Sequence, residues 1–263
     1  GAAYAGLYQL ASTDAARQFA LDGMMQFPSE DAFAIVKDLI GQEDLESLTV
    51  PFLAGIARAL FAANRDEDAG RILDSLLPRL TTPQDVQTFL RTAQGGSFAE
   101  RLCFVLNWQV VGPFSWSASD EFDRNYIGAP HIDTSATYAD SGGELRAWKS
   151  ARASSTDGVL NLIGSIASVT NAAGYTYAEV SVSEDVDAQL RVGSDDGVKV
   201  WVNGETVHEN HVDRGLLVDQ DIVNVTLKAG TNRILIEVTQ GGGGWALCAR
   251  LTDHEGRPIQ FEQ

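Results

Sequence analysis

The sequence predicts an α+β protein in two domains, an α-helical repeat over residues 1–96 and an all-β sandwich over residues 97–263. Three observations carry that reading. Apolar residues recur at helical spacing from about residue 13 to residue 93. A Gly-containing break, Gln94-Gly95-Gly96-Ser97, follows. Beyond it the composition shifts to Val, Thr, Gly, Asn and Asp, and apolar residues alternate with period two.

In the first half, Ala16, Phe19, Ala20, Met24 and Phe27 fall on one helix face. Ser29 after Pro28 has the chemistry to cap a second helix, whose stripe is Ala32, Ile35, Val36, Leu39 and Ile40 and whose end is Gly41. Phe52, Leu53, Ile56, Ala57, Leu60 and Phe61 form a third stripe, and Ile72, Leu73, Leu76, Leu77 and Leu80 a fourth. Asn64-Arg65-Asp66 supplies the turn of the helical hairpin they make. Thr82-Pro83-Gln84-Asp85 reads as N-cap, first-turn proline and acidic first turn of a fifth helix carrying Val86, Phe89 and Leu90. Short helices with brief polar turns predict stacked hairpins of α-solenoid type, HEAT or tetratricopeptide, without a strict repeat signature to choose between them. Such arrays offer a surface to a protein partner or serve as a structural flank.

In the second half, strands are expected over Val105–Phe114, Val159–Ile163, Tyr175–Val182, Ala188–Val192, Val198–Val202, Ile222–Leu227, Arg233–Thr239 and Trp245–Thr252. Seven or eight short strands separated by turns indicate an antiparallel sandwich. Residues 115–156 read as long loops with a short strand near Arg146–Lys149, and loops of that length are often functional. Asp196-Gly197 and Asn203-Gly204 carry the strongest hairpin chemistry, because Gly accepts positive φ and Asn and Asp tolerate it. Between them Val198, Val200 and Val202 share one strand face, and Lys199, Trp201 and Asn203 the other.

The net charge of −17 and a pI near 4.5 argue against nucleic acid and anionic lipid as partners. No apolar run is long enough to span a membrane, and no signal peptide is visible. Cys103 and Cys248 are too few for a disulfide framework. Their positions near the two ends of the β half leave open one disulfide or two buried thiols.

The catalytic signatures are thin. There is no G-x-S-x-G elbow, phosphate-binding loop or dinucleotide fingerprint, and Gly241–Gly244 joins two strands. His208-Glu209-Asn210-His211, with Asp213 nearby, lacks the helical spacing of zinc hydrolases. Asp195 and Asp196 are adjacent, so they point apart in a strand; their expected role is turn chemistry. Asp120, Glu121 and Asp123 are oxygen donors of the kind calcium takes, without the spacing of an EF-hand loop, so no cofactor is expected beyond a weak calcium candidate. The aromatics are more suggestive. Trp116, Tyr126, Tyr138, Trp148, Tyr175, Tyr177, Trp201 and Trp245 gather in the second half. Sugar rings stack on aromatic faces while Asp, Asn and Arg bond their hydroxyls, so Asp195, Trp201, Asn203, Arg214 and Trp245 are the expected ligand-binding residues. The competing expectation is that such rings fill the core.

Residues 108–258 open on Trp108-Gln109-Val110-Val111-Gly112-Pro113-Phe114 and continue through Gly193 to Gly204, Arg214, Asp219-Gln220-Asp221 and Leu227 to Asn232, ending with Gly244-Trp245 and Arg250 to Asp253. In these motifs the chain resembles a β-sandwich module of large multidomain, planctomycete-type bacterial proteins, where it neighbours HEAT-like repeats. The module is similar to the galactose-binding-like jelly rolls used as carbohydrate-binding modules and as non-catalytic domains of glycoside hydrolases. The resemblance implies a jelly-roll topology, a glycan partner, an extracytoplasmic setting and no catalytic residue. The expected function is therefore a non-catalytic carbohydrate-binding module within a larger protein. A structural or protein-interaction fragment is the alternative, and a glycan-active hydrolase or lyase a third.

Overall fold

The computed structural model describes residues 1–27, 31–32, 34–35, 50–62, 64–93, 97–116 and 124–263. The expected cap at Ser29, the stripe from Val36 to Gly41, the Gln94–Gly96 break and the acidic triplet Asp120, Glu121 and Asp123 lie outside the described residues. The chain divides into two compact units, Gly1–Gly96 and Ser97–Gln263.

The first unit is helical: α1 Ala2–Leu10, α2 Asp14–Gln26, α3 Val50–Ala62, α4 Asp66–Leu76 and α5 Pro83–Thr92. Local chemistry sets their ends. Thr13 accepts a bond from the Ala16 N–H at 3.3 Å to cap α2, and Thr82 accepts one from the Asp85 N–H at 3.2 Å to cap α5. Asn64 turns the α3–α4 hairpin with φ of 57°. The fourth stripe does not stay α-helical to Leu80. Pro78 lies in a 3₁₀ turn, Leu77–Arg79, that ends it. Leu53, Ala54, Ile72, Leu73, Leu76 and Phe89 are buried, but Phe19 and Phe27, expected on the buried face of α2, are exposed.

The second unit is a β-sandwich. Its strands are β1 Asn107–Ser115, β2 Thr137–Ala139, β3 Leu145–Ala147, β4 Lys149–Arg152, β5 Leu160–Asn161, β6 Ala172–Val182, β7 Val186–Asp195, β8 Val198–Val202, β9 Glu205–Asn210, β10 Asp221–Leu227, β11 Gly230–Gln240 and β12 Ala246–Thr252. A six-stranded antiparallel sheet runs β4-β1-β6-β11-β8-β9, and a four-stranded one runs β10-β7-β12-β5. β2 and β3 form a separate ribbon. From β6 onward the chain crosses repeatedly between the two sheets.

The pleat separates two faces of the six-stranded sheet. Val110, Thr176, Ile236 and Val200 lie in one cross-strand row and are all buried, facing the small sheet's Leu190, Val192, Leu247, Ala249 and Leu251. Trp245 enters this core. Its indole N–H donates to the Val238 carbonyl at 3.2 Å, and a Cβ on Gly174 would lie 2.7 Å from its ring. Gly174 is therefore the residue that lets the two layers approach. The opposite, outer face carries a second apolar cluster of Val111, Phe114, Tyr175, Tyr177, Trp201, Leu235 and Ile127, with Tyr126, Ala129, Ile132, Tyr138 and Trp148 packed against it. The central strand β6 is therefore buried on both faces over most of its length.

Two local expectations change. Asp196-Gly197 closes no hairpin, because β7 and β8 belong to different sheets and this turn carries the chain across the sandwich. Asn203-Gly204 does close one, between β8 and β9, with φ of 52° and 88°. Val159–Ile163 is a strand only at Leu160–Asn161. Asn161 then accepts the Gly164 N–H at 3.1 Å and caps a one-turn helix, Leu162–Ser165. Cys103 and Cys248 are both free and buried, and burial pushes their thiols up to about 11 and about 12.

Candidate functional site

The residues expected to bind a ligand fall in three places. Trp245 is 1% exposed between the sheets and presents no ring face. Asp195 and Arg214 sit at the β7–β8 crossing. Trp201 and Asn203 lie on the outer face of the six-stranded sheet.

The crossing is a hydrogen-bonded latch. Asp196 accepts the Arg214 N–H at 3.1 Å and the Gly241 N–H at 2.8 Å through its two carboxylate oxygens. The Ser194 hydroxyl donates to the Asp196 carbonyl at 2.6 Å, and Arg214 donates to that hydroxyl at 2.7 Å. Arg214 also pairs with Asp221, whose other oxygen accepts from Asn210 at 3.0 Å. Burial, then the neighbouring Asp196, hold the Asp195 carboxyl above its ordinary range. Burial raises Asp196 too, against the pull of its two N–H donors. Burial also acts to raise Asp221, but its bonds to Arg214 and Asn210 and the Arg214 charge win, and its carboxyl is held low. The cluster thus uses its polar atoms to tie the 213–221 segment to the crossing. His208 and His211 contact different carboxylates, Asp221 at 3.2 Å and Glu209 at 2.6 Å. Among the described residues no group of three or more His, Cys, Asp or Glu side chains is arranged to hold a metal ion.

The outer face is different. Antiparallel register places Gln109, Tyr177, Leu235 and Trp201 in one row across four strands, and Glu179 opposite Arg233 in the next. The 126–138 segment covers one end of this face, over Phe114 and Tyr175. Beyond its edge lies a cavity of about 740 Å³, lined by Asn107, Gln109, Thr134, Ser150, Arg152, Tyr177 and Glu179. A second, of about 380 Å³, is lined by His131, Ile132, Tyr177, Trp201, Asn203, Glu205, Arg233 and Leu235. Tyr177 lines both.

Within this groove the polar groups are paired with one another near solvent. The Tyr177 hydroxyl donates to Glu179 at 2.5 Å; burial, then this bond, push its phenol up to about 12. Arg233 stands 3.8 Å from Glu179, with side chains 71% and 53% exposed. Arg152 donates to Asn107 at 2.6 Å and Gln109 to Ser150 at 3.0 Å. Trp201 lines the smaller cavity but is only 7% exposed, and the Lys199 ammonium stands 5.6 Å from its ring centroid. Asn203 serves its hairpin: its amide donates to Asn232 at 2.8 Å and its oxygen accepts the Arg233 N–H at 2.9 Å. Guanidinium, amide, hydroxyl and carboxylate groups beside a Tyr ring form a surface suited to a ligand rich in hydroxyls.

Sequence reasoning named Tyr177, Trp201 and Asn203 but missed Asn107, Gln109, Ser150, Arg152, Glu179 and Arg233. Asn107, Gln109, Glu179 and Arg233 read locally as solvated positions of alternating strands, Ser150 and Arg152 as part of a loop, and strand order alone reveals that they converge.

No family model matches the chain, and no curated protein sequence is similar to it. Among solved structures, the PA14 domain of an antifreeze protein is similar at 18% identity and TM-score 0.26, covering 34% of this chain and 46% of that one. A β-glucosidase from Kluyveromyces marxianus is similar at 13% identity and TM-score 0.36, covering 55% of this chain and 16% of the enzyme. A family 35 carbohydrate-binding module from Clostridium thermocellum is similar at 12% identity and TM-score 0.28, covering 57% of this chain and 98% of the module. The chain thus spans under half of the first of these and a small part of the second.

Proposed function

We propose that this protein is a non-catalytic carbohydrate-binding module and that the groove on the outer face of the six-stranded sheet holds the glycan. The observation that carries the reading is the gathering of Asn107, Gln109, Ser150, Arg152, Glu179 and Arg233 around Tyr177 in two adjoining cavities. These groups bond hydroxyls as donors and acceptors, and they surround a Tyr177 ring that is itself 9% exposed at the groove floor. A binding role is supported by the larger cavity, where Glu179 is the only carboxylate side chain among the described lining residues and one of its oxygens is already bonded by Tyr177. Binding needs no metal in this reading. The module resemblance of residues 108–258 points the same way and adds a larger, extracytoplasmic parent chain with jelly-roll topology.

In the same reading the helical unit is a fragment of an α-solenoid whose surface meets a protein partner or a further repeat. Leu10, Phe19 and Phe27 are exposed there at 84%, 60% and 53%, which supports it.

Calorimetry of the full chain against a panel of neutral and acidic polysaccharides, with calcium and with chelator, tests the proposal. Binding is expected in both conditions and is expected to weaken in Glu179→Gln at an unchanged thermal midpoint. Absence of binding throughout defeats it and favours the structural or protein-interaction alternative. Release of reducing ends above background favours the hydrolase.

A further inference from the structure

We infer that the groove takes an internal stretch of an uncharged polysaccharide, lying across the strands and filling both cavities, with the Glu179–Arg233 pair opening to receive it. The inference rests on the glycan-binding reading and extends it to the kind of glycan.

The first argument is continuity. The larger cavity is floored by β4, β1 and β6, the smaller by β6, β11, β8 and the β8–β9 turn. They meet at Tyr177, which lines both, and at the cross-strand pair of Glu179 in one and Arg233 in the other. From β4 to β9 is five inter-strand spacings, about 24 Å at the usual separation. That span accommodates several sugar units end to end and is far longer than one.

The second argument is the state of the polar groups. An ion pair at 3.8 Å between half-exposed or more exposed side chains is worth little in water. Exchanging it for bonds to sugar hydroxyls therefore costs little, whereas the buried latch around Asp196 and Arg214 has no such freedom. Arg233 thus serves the smaller cavity and Arg152 the larger, from opposite sides of Tyr177.

The third argument is charge. The groove sets Arg152 and Arg233 against Glu179 and Glu205, leaving no excess of positive charge, while the whole chain carries −17. A polyanion meets repulsion at long range and no net compensation on arrival.

The test is calorimetry of the full chain with cello-, xylo-, manno- and malto-oligosaccharides from one to six units, and with polygalacturonate and alginate. In at least one neutral series affinity is expected to rise with each added unit, by more than tenfold overall. Arg233→Ala and Arg152→Ala are each expected to weaken the six-unit ligand several-fold, while only one of them weakens the two-unit ligand. Both side chains are more than half exposed, so both variants are expected to keep the wild-type thermal midpoint. A monosaccharide that binds as tightly as the hexamer, or a hexamer indifferent to Arg233→Ala, overturns the two-cavity inference and leaves the glycan reading standing. Tighter binding of polygalacturonate or alginate overturns the uncharged ligand. If no sugar binds at all, the glycan reading falls and this inference with it.

Discussion

The β unit holds two collections of charged side chains that composition cannot tell apart, and they behave in opposite ways. In the interior, Arg250 bonds Asp219 through two nitrogens at 2.8 and 2.5 Å, and Arg191 reaches the same carboxylate at 3.3 Å. Arg250 and Asp219 are fully buried as side chains and Arg191 nearly so. On the outer face, Arg233 and Glu179 stand 3.8 Å apart with both side chains more than half exposed. Buried charge is committed to one geometry, because desolvation makes any other arrangement costly. Exposed charge is nearly free to change partners. A surface that must accept a ligand needs the second kind.

Removing a partner from each collection exposes that contrast. Asp219→Ala leaves two buried guanidinium groups without their shared carboxylate and is expected to cost about 3–5 kcal/mol in urea unfolding. Trp201→Ala follows closely, at about 3 kcal/mol or more for a lost core ring. A Trp201→Ala protein that loses a sugar ligand at an unchanged thermal midpoint would move that ring from the outer cluster to the groove proper. Gly174→Ala places a Cβ 2.6 Å from Ile166 and 2.7 Å from Trp245, with an expected loss of about 1–3 kcal/mol from overpacking. Arg233→Ala is expected to shift stability by less than about 1 kcal/mol while lowering ligand affinity.

The smallest effects lie in the pH profile, where the latch carries shifts of both signs. Asp195 and Asp196 are raised, so the folded state holds their protons more tightly than the unfolded chain does. Their contribution to stability is present in acid and lost as pH rises through their folded values. Asp221 is lowered, so its contribution is present above about 3.9 and lost as pH falls through its folded value. In urea melts from neutral pH down to pH 3, Asp195→Asn is expected to remove part of the gain on acidification, and Asp221→Asn part of the loss. Superimposable profiles for the two variants would break the distinction between the carboxylates.

What the sequence revealed followed from how local each determinant is. The Thr82-Pro83-Asp85 cap and the Asn203-Gly204 hairpin are readable because every bond that makes them lies within a few residues. Asp196-Gly197 has the same chemistry and a different outcome, since nothing in a turn says which sheet its second strand will join. β9 was unreadable as a strand because Glu205, Thr206, His208 and Glu209 carry no apolar alternation; as an edge strand it needs little. The groove was legible as a set of aromatics and illegible as a place. Glu179 and Arg233 become neighbours only through the β6–β11 register, and Arg152 and Asn107 only through β4–β1.

The double covering of β6 has a kinetic consequence. β6 and β11 pair over eleven positions, from Gly230 with Val182 to Gln240 with Ala172, and β6 lies between two apolar layers. Peeling away the aromatic cover of residues 124–148 exposes one layer and leaves the other intact. Amide protons of Tyr175, Tyr177 and Ile236 are therefore expected to exchange with deuterium only through global unfolding, while those of Tyr138 and Arg146 on the β2–β3 ribbon exchange through a smaller, separate opening.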